Sequence, residues 1–470
     1  MAGVNPENVP VRAASAEVAI IGAGVVGCAL FREFVLGGYQ TVLVERDADI
    51  INGASKANSA LLHTGFDAIP GSLEVACVQR GYARYAALHD RLGLPLLPNG
   101  ALVVAWTMAE RDRLPGIVAQ AEANRVPVRL LDADEVRARE PGLAADLKGG
   151  VLVAGEAVVD PWSAPLAYAL QGVANGGLLL RGTEVTGGSL HDGGWQLATS
   201  RPGVSIAARV VINCAGNYGD LVEAIARPSP FAIRPRKGQF VVYDKPAYAL
   251  VESIVLPVPN ERTKGVVVTR TAYGNLLVGP TAEDQDGRRT ATVETPALRA
   301  LIAAGERMVP ALAEQSVTTS YAGLRPASQF KDYQIEALPA RNWITVGGIR
   351  STGLTGALGI AEHVLGLHAA HFGVAAPLVD PVWPRVPNLA EAYPRPWQST
   401  RSEIVCHCEM VTRDELEAAF AQPLPASSLG GLKRRTRCMM GRCQGFYCTR
   451  RVVEIAGLHL PDLVQRLIDA

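Results

Sequence analysis

Net charge is the first thing this sequence lacks. Across 470 residues, 45 Lys and Arg stand against 45 Asp and Glu, leaving a formal charge of zero. With no global field of either sign, neither nucleic acid nor an acidic membrane is drawn to the chain as a whole, and only a local patch could bind one. Long apolar runs are also missing, and no stretch reaches the ~18–20 residues of a membrane span. The opening MAGVNPENVPVRAASA lacks the basic-then-apolar pattern of a secretion signal. We therefore expect a cytoplasmic protein, or one peripheral at the inner face of a membrane. No internal repeat of fixed period is present.

Cysteine is scarce until late in the chain. Only Cys28, Cys77 and Cys214 precede residue 400, whereas Cys406, Cys408, Cys438, Cys443 and Cys448 crowd into the last seventy residues. A cytosolic chain rarely keeps structural disulfides, so such a cluster points to metal or redox chemistry. The rest reads as a large, well-buried globular body, with 48% hydrophobic and 19% charged residues. At ~150 residues per domain, the length suggests about three domains.

The chain opens with a βαβ unit. Glu17–Ile21 is a β-branched strand, Val25–Leu36 an apolar helix stopped by Gly37-Gly38, and Tyr39–Glu45 a second strand. Further strands are expected at Ala101–Ala105, Gly150–Val153, Leu178–Arg181, Val210–Asn213, Gln239–Tyr243, Gly265–Thr269, Leu276–Gly279 and Trp343–Val346. Helices are expected near Leu73–Leu92, Ala109–Asn124, Trp162–Ala174, Pro296–Met308 and Leu358–Phe372. The interleaving indicates α/β architecture. Six of the twenty residues from Pro377 to Pro396 are proline, which marks a stiff linker or wrapping segment before a terminal module.

Between the first strand and helix lie Gly22, Gly24 and Gly27, in G-x-G-x-x-G spacing. The first permits the tight turn, the second lets the backbone approach a pyrophosphate, and the third lets the helix pack on the strand. The helix start at Val25 and Val26 offers free N–H groups to the phosphates. Glu45, followed by Arg46, is placed to accept hydrogen bonds from ribose hydroxyls. In the terminal module, Cys406 and Cys408 form a C-x-C pair and Cys443 and Cys448 a C-x4-C pair. Four thiolates suit a 2Fe–2S cluster or a tetrahedral zinc. The basic run Lys433–Arg437 nearby could raise the potential of such a site, dock an acidic electron partner, or simply be a solvated helix face; nothing else supports nucleic acid.

Several motifs together resemble the D-amino-acid-oxidase superfamily of flavoenzymes. They are the polar stretch Asn52–Ser59, the strand end Val211–Gly216, and the late Val346-Gly347-Gly348 leading to Gly353-Leu354-Thr355-Gly356. The resemblance implies FAD, with Ser55, Asn58, Ser59, Val185, Ala215, Gly216, Gly348, Gly353, Leu354 and Thr355 joining the glycine-rich turn in holding it. Ser55–Asp67 with Pro70–Leu73, Thr263–Val266, Asn275–Glu283 and Tyr321–Pro326 narrow the resemblance to type 2 glycerol-3-phosphate dehydrogenases and oxidases, over roughly residues 15–372. L-2-hydroxyglutarate dehydrogenases are more distant relatives. The cysteine spacing and its surroundings resemble the bacterioferritin-associated-ferredoxin type of 2Fe–2S domain.

The expected fold is a Rossmann-like FAD-binding domain (15–90, 145–225 and 335–372) interleaved with an α+β substrate domain (91–144 and 226–334). A proline-rich linker (373–400) and a small helical iron–sulfur domain (401–470) follow. The expected reaction is oxidation of a small anionic secondary alcohol, glycerol 3-phosphate first, by hydride transfer to flavin N5. His63 is the expected base, since imidazole titrates near neutral pH. Lys264 and Arg325 would grip the anion, and Ser351 matches a position near the flavin. Where the family commonly has an acidic residue and a proline, this chain has Arg350 and Thr352, and a second anionic group on the substrate is one reason for the added cation. FAD beside a one-electron cluster favours a dehydrogenase feeding an acceptor protein, a partner subunit or a quinone; a homo-oligomer is also compatible. The competing readings are L-2-hydroxyglutarate-type or amino/imino-acid (opine-type) oxidation, and a non-catalytic electron-transfer subunit.

Overall fold

The structure, a computed structural model, describes residues 13–259 and 265–460. Its first sheet has eight strands. Ala13–Ile21 lies at the centre, parallel to Thr41–Val44 on one side and Ser205–Asn213 on the other. Leu178–Leu180 extends the parallel set beyond Thr41–Val44, and Trp343–Gly347 extends it beyond Ser205–Asn213. Val18, Ala19 and Ile20 have no exposed surface, as continuous apolar runs require in a parallel strand covered on both faces. The helices Val25–Leu36, Leu73–Leu92, Ser163–Ala174 and Gly353–Phe372 cover the face of Val18 and Ile20, while Trp195, Leu197 and Ala226 pack with Ala19 and Ile21 on the other.

A nine-stranded sheet forms the second layer, with Arg236–Tyr243 paired to both Leu276–Gly279 and Val317–Arg325. Gly149–Val153 belongs here, antiparallel to Ala101–Ala105, and not in the FAD-binding part where the boundary at 145 placed it. The expected helix Ala109–Asn124 is two helices, Met108–Arg111 and Leu114–Ala123. Pro115 cannot donate within a helix and is confined to a first turn, so the second helix starts there.

The last long helix starts at Gly353 rather than Leu358. Gly359 within it is a packing surface. A Cβ on Gly359 would lie 2.0 Å from the Cys77 carbonyl oxygen, and one on Gly81 would lie 2.0 Å from that of Thr355. The two 20-residue helices Leu73–Leu92 and Gly353–Phe372 therefore touch backbone to backbone, and the early start carries the N-terminus of the second to the cavity described below.

Residues 373–395 form no helix or strand and wrap the body: Leu378 N–H donates to the Leu36 carbonyl and Val386 N–H to that of Leu92. The terminal domain is a short hairpin, Ile404–Cys406 with Val411–Thr412, and helices Arg413–Ala421, Leu429–Thr436 and Thr449–Gly457. It is clamped to the body by the basic run, which is not a solvated face. Arg435 makes two hydrogen bonds of 2.9 Å to buried Asp49, Arg434 donates to the Ile50 carbonyl, and Arg437 binds Glu391, Glu409 and the Leu389 carbonyl. These cations join domains, so they do not offer themselves to an outside partner.

Candidate active site and cofactor sites

A cavity of about 1160 Å³ runs between the two sheets. One end is the glycine-rich turn. Gly22 has φ +105°, where a Cβ would meet the Cys214 carbonyl oxygen at 2.8 Å, and a Cβ on Gly27 would fall 1.8 Å from the Gly22 oxygen. Gly24 is open except for the Ser55 hydroxyl, which accepts a hydrogen bond from Val25 N–H at 2.9 Å. Glu45 accepts from Ala23 N–H at 2.8 Å and from Asp47 N–H at 2.9 Å, tying the turn to the second strand. Burial raises its carboxyl pKa, against the lowering effect of those two backbone hydrogen bonds. Each oxygen keeps a lone pair for a hydroxyl. Arg46 instead lies over the Tyr218 ring, 3.9 Å from its centroid.

Gly22, Gly24, Val25, Val26, Gly27, Glu45 and Arg46 all line this cavity. So do Ser55, Asn58, Ser59, Val185, Ala215, Gly216, Gly348, Gly353 and Leu354. Gly216, at φ +56°, has nothing within 4 Å of where a Cβ would sit. An open glycine cradle with a helix N-terminus at Val25 and another at Gly353 suits a long, pyrophosphate-bearing ligand. Thr355 is the exception to the expected cofactor-binding set. It lies off the cavity, where its hydroxyl accepts from His63 N–H at 3.0 Å and donates to the Leu61 carbonyl, so it positions the His63 loop.

His63, Arg325 and Ser351 line the same cavity. His63 Nδ1 lies 2.9 Å from Oε2 of Glu156, a carboxylate with no solvent exposure. The other oxygen, Oε1, accepts from the backbone and hydroxyl of Thr64 at 2.6 and 2.8 Å. A carboxylate accepting at Nδ1 places the ring hydrogen there and fixes the neutral tautomer. Glu156 escaped the sequence reading because it sits in a turn far along the chain, with no motif around it.

Arg325 ends the strand Val317–Arg325 and donates to the Thr281 carbonyl at 2.8 Å. Burial, then Arg236 and Arg350, lower its guanidinium pKa to about 10. Among the described residues no carboxylate lies within ion-pair distance of it. Arg350, at φ +57°, sends its guanidinium to the Lys331 carbonyl, so its charge reaches the site as a field on Arg325. Lys264 lies outside the described residues. Lys237 is buried against Glu283 and Glu294.

In the terminal domain Cys406 and Cys448 are buried, and Cys408 and Cys443 half-buried. The thiols meet two by two, Cys408 with Cys443 and Cys406 with Cys448. Among the described residues no three His, Cys, Asp or Glu side chains are grouped around a single ion's position. Four thiols gathered in one patch are the donor set of a two-iron cluster. Cys438 is buried in the same small core, its thiol pushed by burial to about 12.

Fold and site define a flavin-dependent redox enzyme. Residues 17–367 match the family described as FAD dependent oxidoreductase, and residues 404–456 match the BFD-like 2Fe–2S binding domain. The chain belongs to that oxidoreductase family, binds FAD, and carries a 2Fe–2S domain. It is 32% identical over 458 residues to a glycerol 3-phosphate dehydrogenase of Caloramator mitchellensis, covering 94% of each chain. It is 27% identical over 502 residues to one subunit of the anaerobic glycerol-3-phosphate dehydrogenase of Escherichia coli K12, covering 93% of this chain and 87% of that one. Among solved structures it resembles the FAD-bound L-α-glycerophosphate oxidase of Mycoplasma pneumoniae, with TM-score 0.74 and 28% identity over 80% of this chain and 98% of that one. Among the described residues no helix is long and apolar enough to cross a membrane.

Proposed function

We propose that the protein oxidises a small anionic secondary alcohol, glycerol 3-phosphate first, and passes the electrons on through a cluster held by Cys406, Cys408, Cys443 and Cys448. The observation that carries this reading is Arg325, a desolvated guanidinium with no carboxylate partner among the described residues, lining the same cavity as His63. A half-buried cation with no counter-ion among the described residues favours an anion as its ligand. The substrates named for the Caloramator and E. coli relatives support the same choice. Bound FAD supplies the hydride acceptor. His63 takes the hydroxyl proton at Nε2, Glu156 holds the ring through Nδ1, and Arg325 fixes the anionic end. The acceptor is a partner protein or a quinone.

The test is anaerobic titration of the purified protein with glycerol 3-phosphate and L-2-hydroxyglutarate, followed by flavin absorbance. Bleaching by the phosphate supports the proposal, and bleaching by neither alcohol overturns it. In His63→Asn, turnover should fall by ~10²–10⁴ with flavin content unchanged.

A further inference from the structure

The stretch from Glu417 to Glu454 contains no Asp or Glu between its ends, yet it carries Lys433, Arg434, Arg435, Arg437, Arg442, Arg450 and Arg451. The clamp uses Arg434, Arg435 and Arg437. Arg442 and Arg450 remain outward, with side chains 72% and 92% exposed. Among the described residues each makes one ion pair from an exposed guanidinium, Arg442 to Asp244 at 3.4 Å and Arg450 to Glu454 at 3.0 Å, and such pairs are weak.

Between these two arginines lies the loop from Cys443 to Cys448, and at its tip stand two aromatic residues. Phe446 is 82% exposed and Tyr447 79%, their rings edge to face with centroids 5.2 Å apart. Among the described residues both rings stay largely uncovered. Loops between buried ligands ordinarily carry small or polar residues at such exposure, because a large ring in water forgoes its burial energy. Half-buried Cys408 and Cys443, with exposed His407 beside them, bring the thiol site close to this same surface.

We propose that Phe446 and Tyr447, rimmed by Arg442 and Arg450, are the docking surface for an acidic one-electron carrier protein. This rests on the reading that the four cysteines hold a cluster. An aromatic anchor inside a charged rim is the usual anatomy of a transient interface, with the rings giving affinity and the rim giving steering. The two outward arginines select an acidic partner. At this face one electron leaves the domain and one is gained by the carrier, with no bond made or broken.

The experiment uses the full-length holoprotein and an acidic plant-type ferredoxin as probe, with binding read by biolayer interferometry. Cluster absorbance is checked first, and its absence in the wild type overturns the cluster reading rather than the docking surface. With the cluster present, the expected result is binding that weakens steeply between about 0.05 and 0.5 M salt. Phe446→Ser/Tyr447→Ser and Arg442→Glu/Arg450→Glu should each lose roughly tenfold or more, with cluster spectrum and substrate-driven flavin bleaching unchanged. No binding by the wild type, or variants that bind as it does, overturns the proposal. Loss of a dimer by size exclusion in the aromatic variant would assign the face to a second copy, and loss of binding to anionic vesicles would assign it to a membrane; either overturns the proposal.

Discussion

His63 and Glu156 are 93 positions apart in sequence and 2.9 Å apart in space. The imidazole sits at the cavity wall while the carboxylate is wholly sealed, so the buried partner holds the ring through Nδ1. Glu156→Gln keeps the shape but offers an amide N–H where Nδ1–H needs an acceptor. We expect turnover to fall by ~10²–10⁴ with flavin content and melting temperature nearly unchanged. Single-turnover flavin reduction checks this, and an undiminished rate would remove Glu156 from the mechanism.

Arg325 should set the affinity for the anion. Arg325→Met is expected to raise KM roughly thirtyfold or more, and Arg325→Lys to recover only part, since an ammonium lacks the planar fork. The protonated guanidinium is the binding form, so affinity should be flat at neutral pH and decline as pH rises through about 10. Bound anion favours the charged form and should move that decline upward. Substrate titrations by calorimetry across this range would show both effects.

The βαβ unit was legible because its glycines and apolar runs act locally: helix Val25–Leu36 lies where the pattern placed it. The family and its FAD were legible for the same reason. What escaped was non-local. Glu156 carries no periodic signal, and only the fold brings it to His63. The helix expected from Leu358 starts at Gly353, and the close approach of Gly359 to Cys77 is invisible in a linear pattern. The basic run Lys433–Arg437 left three readings open because the partner of Arg435, Asp49, lies 386 positions away.

That Asp49–Arg435 pair predicts how the terminal domain comes loose. Both side chains are almost fully sealed. Arg435→Met removes two hydrogen bonds from a buried carboxylate that keeps Arg181 at 3.6 Å, and should cost about 1–3 kcal/mol of docking. Protease nicking within residues 373–400 is the readout, rising in Arg435→Met, and unchanged nicking would show that the pair does not hold the domain.

The same clamp carries a pH dependence through Glu391. Burial would raise its pKa, but Arg437 and Lys245 reverse this and hold it at about 2, against 4.5. A depressed folded-state pKa means the stabilisation is fully present above about 4.5 and is lost as pH falls toward about 2. Undocking followed by near-ultraviolet circular dichroism should therefore develop only in that acid window, and Glu391→Gln should show weaker docking at neutral pH.

Gly24 and Gly27 separate cofactor binding from folding. A Cβ at Gly24 meets only the Ser55 hydroxyl, at 3.2 Å, a side chain that can turn aside. Gly24→Ala should therefore keep the fold and its melting temperature, while the added methyl blocks the close approach of a pyrophosphate and flavin content drops. At Gly27 the obstacle is the Gly22 carbonyl oxygen at 1.8 Å, a backbone atom of the turn itself. Gly27→Ala must push the helix Val25–Leu36 off its strand, which costs about 1–3 kcal/mol or more by overpacking alone. It should lower both the melting temperature and the flavin content. Equal behaviour of the two variants would show that helix contact and pyrophosphate contact are not separable in this turn.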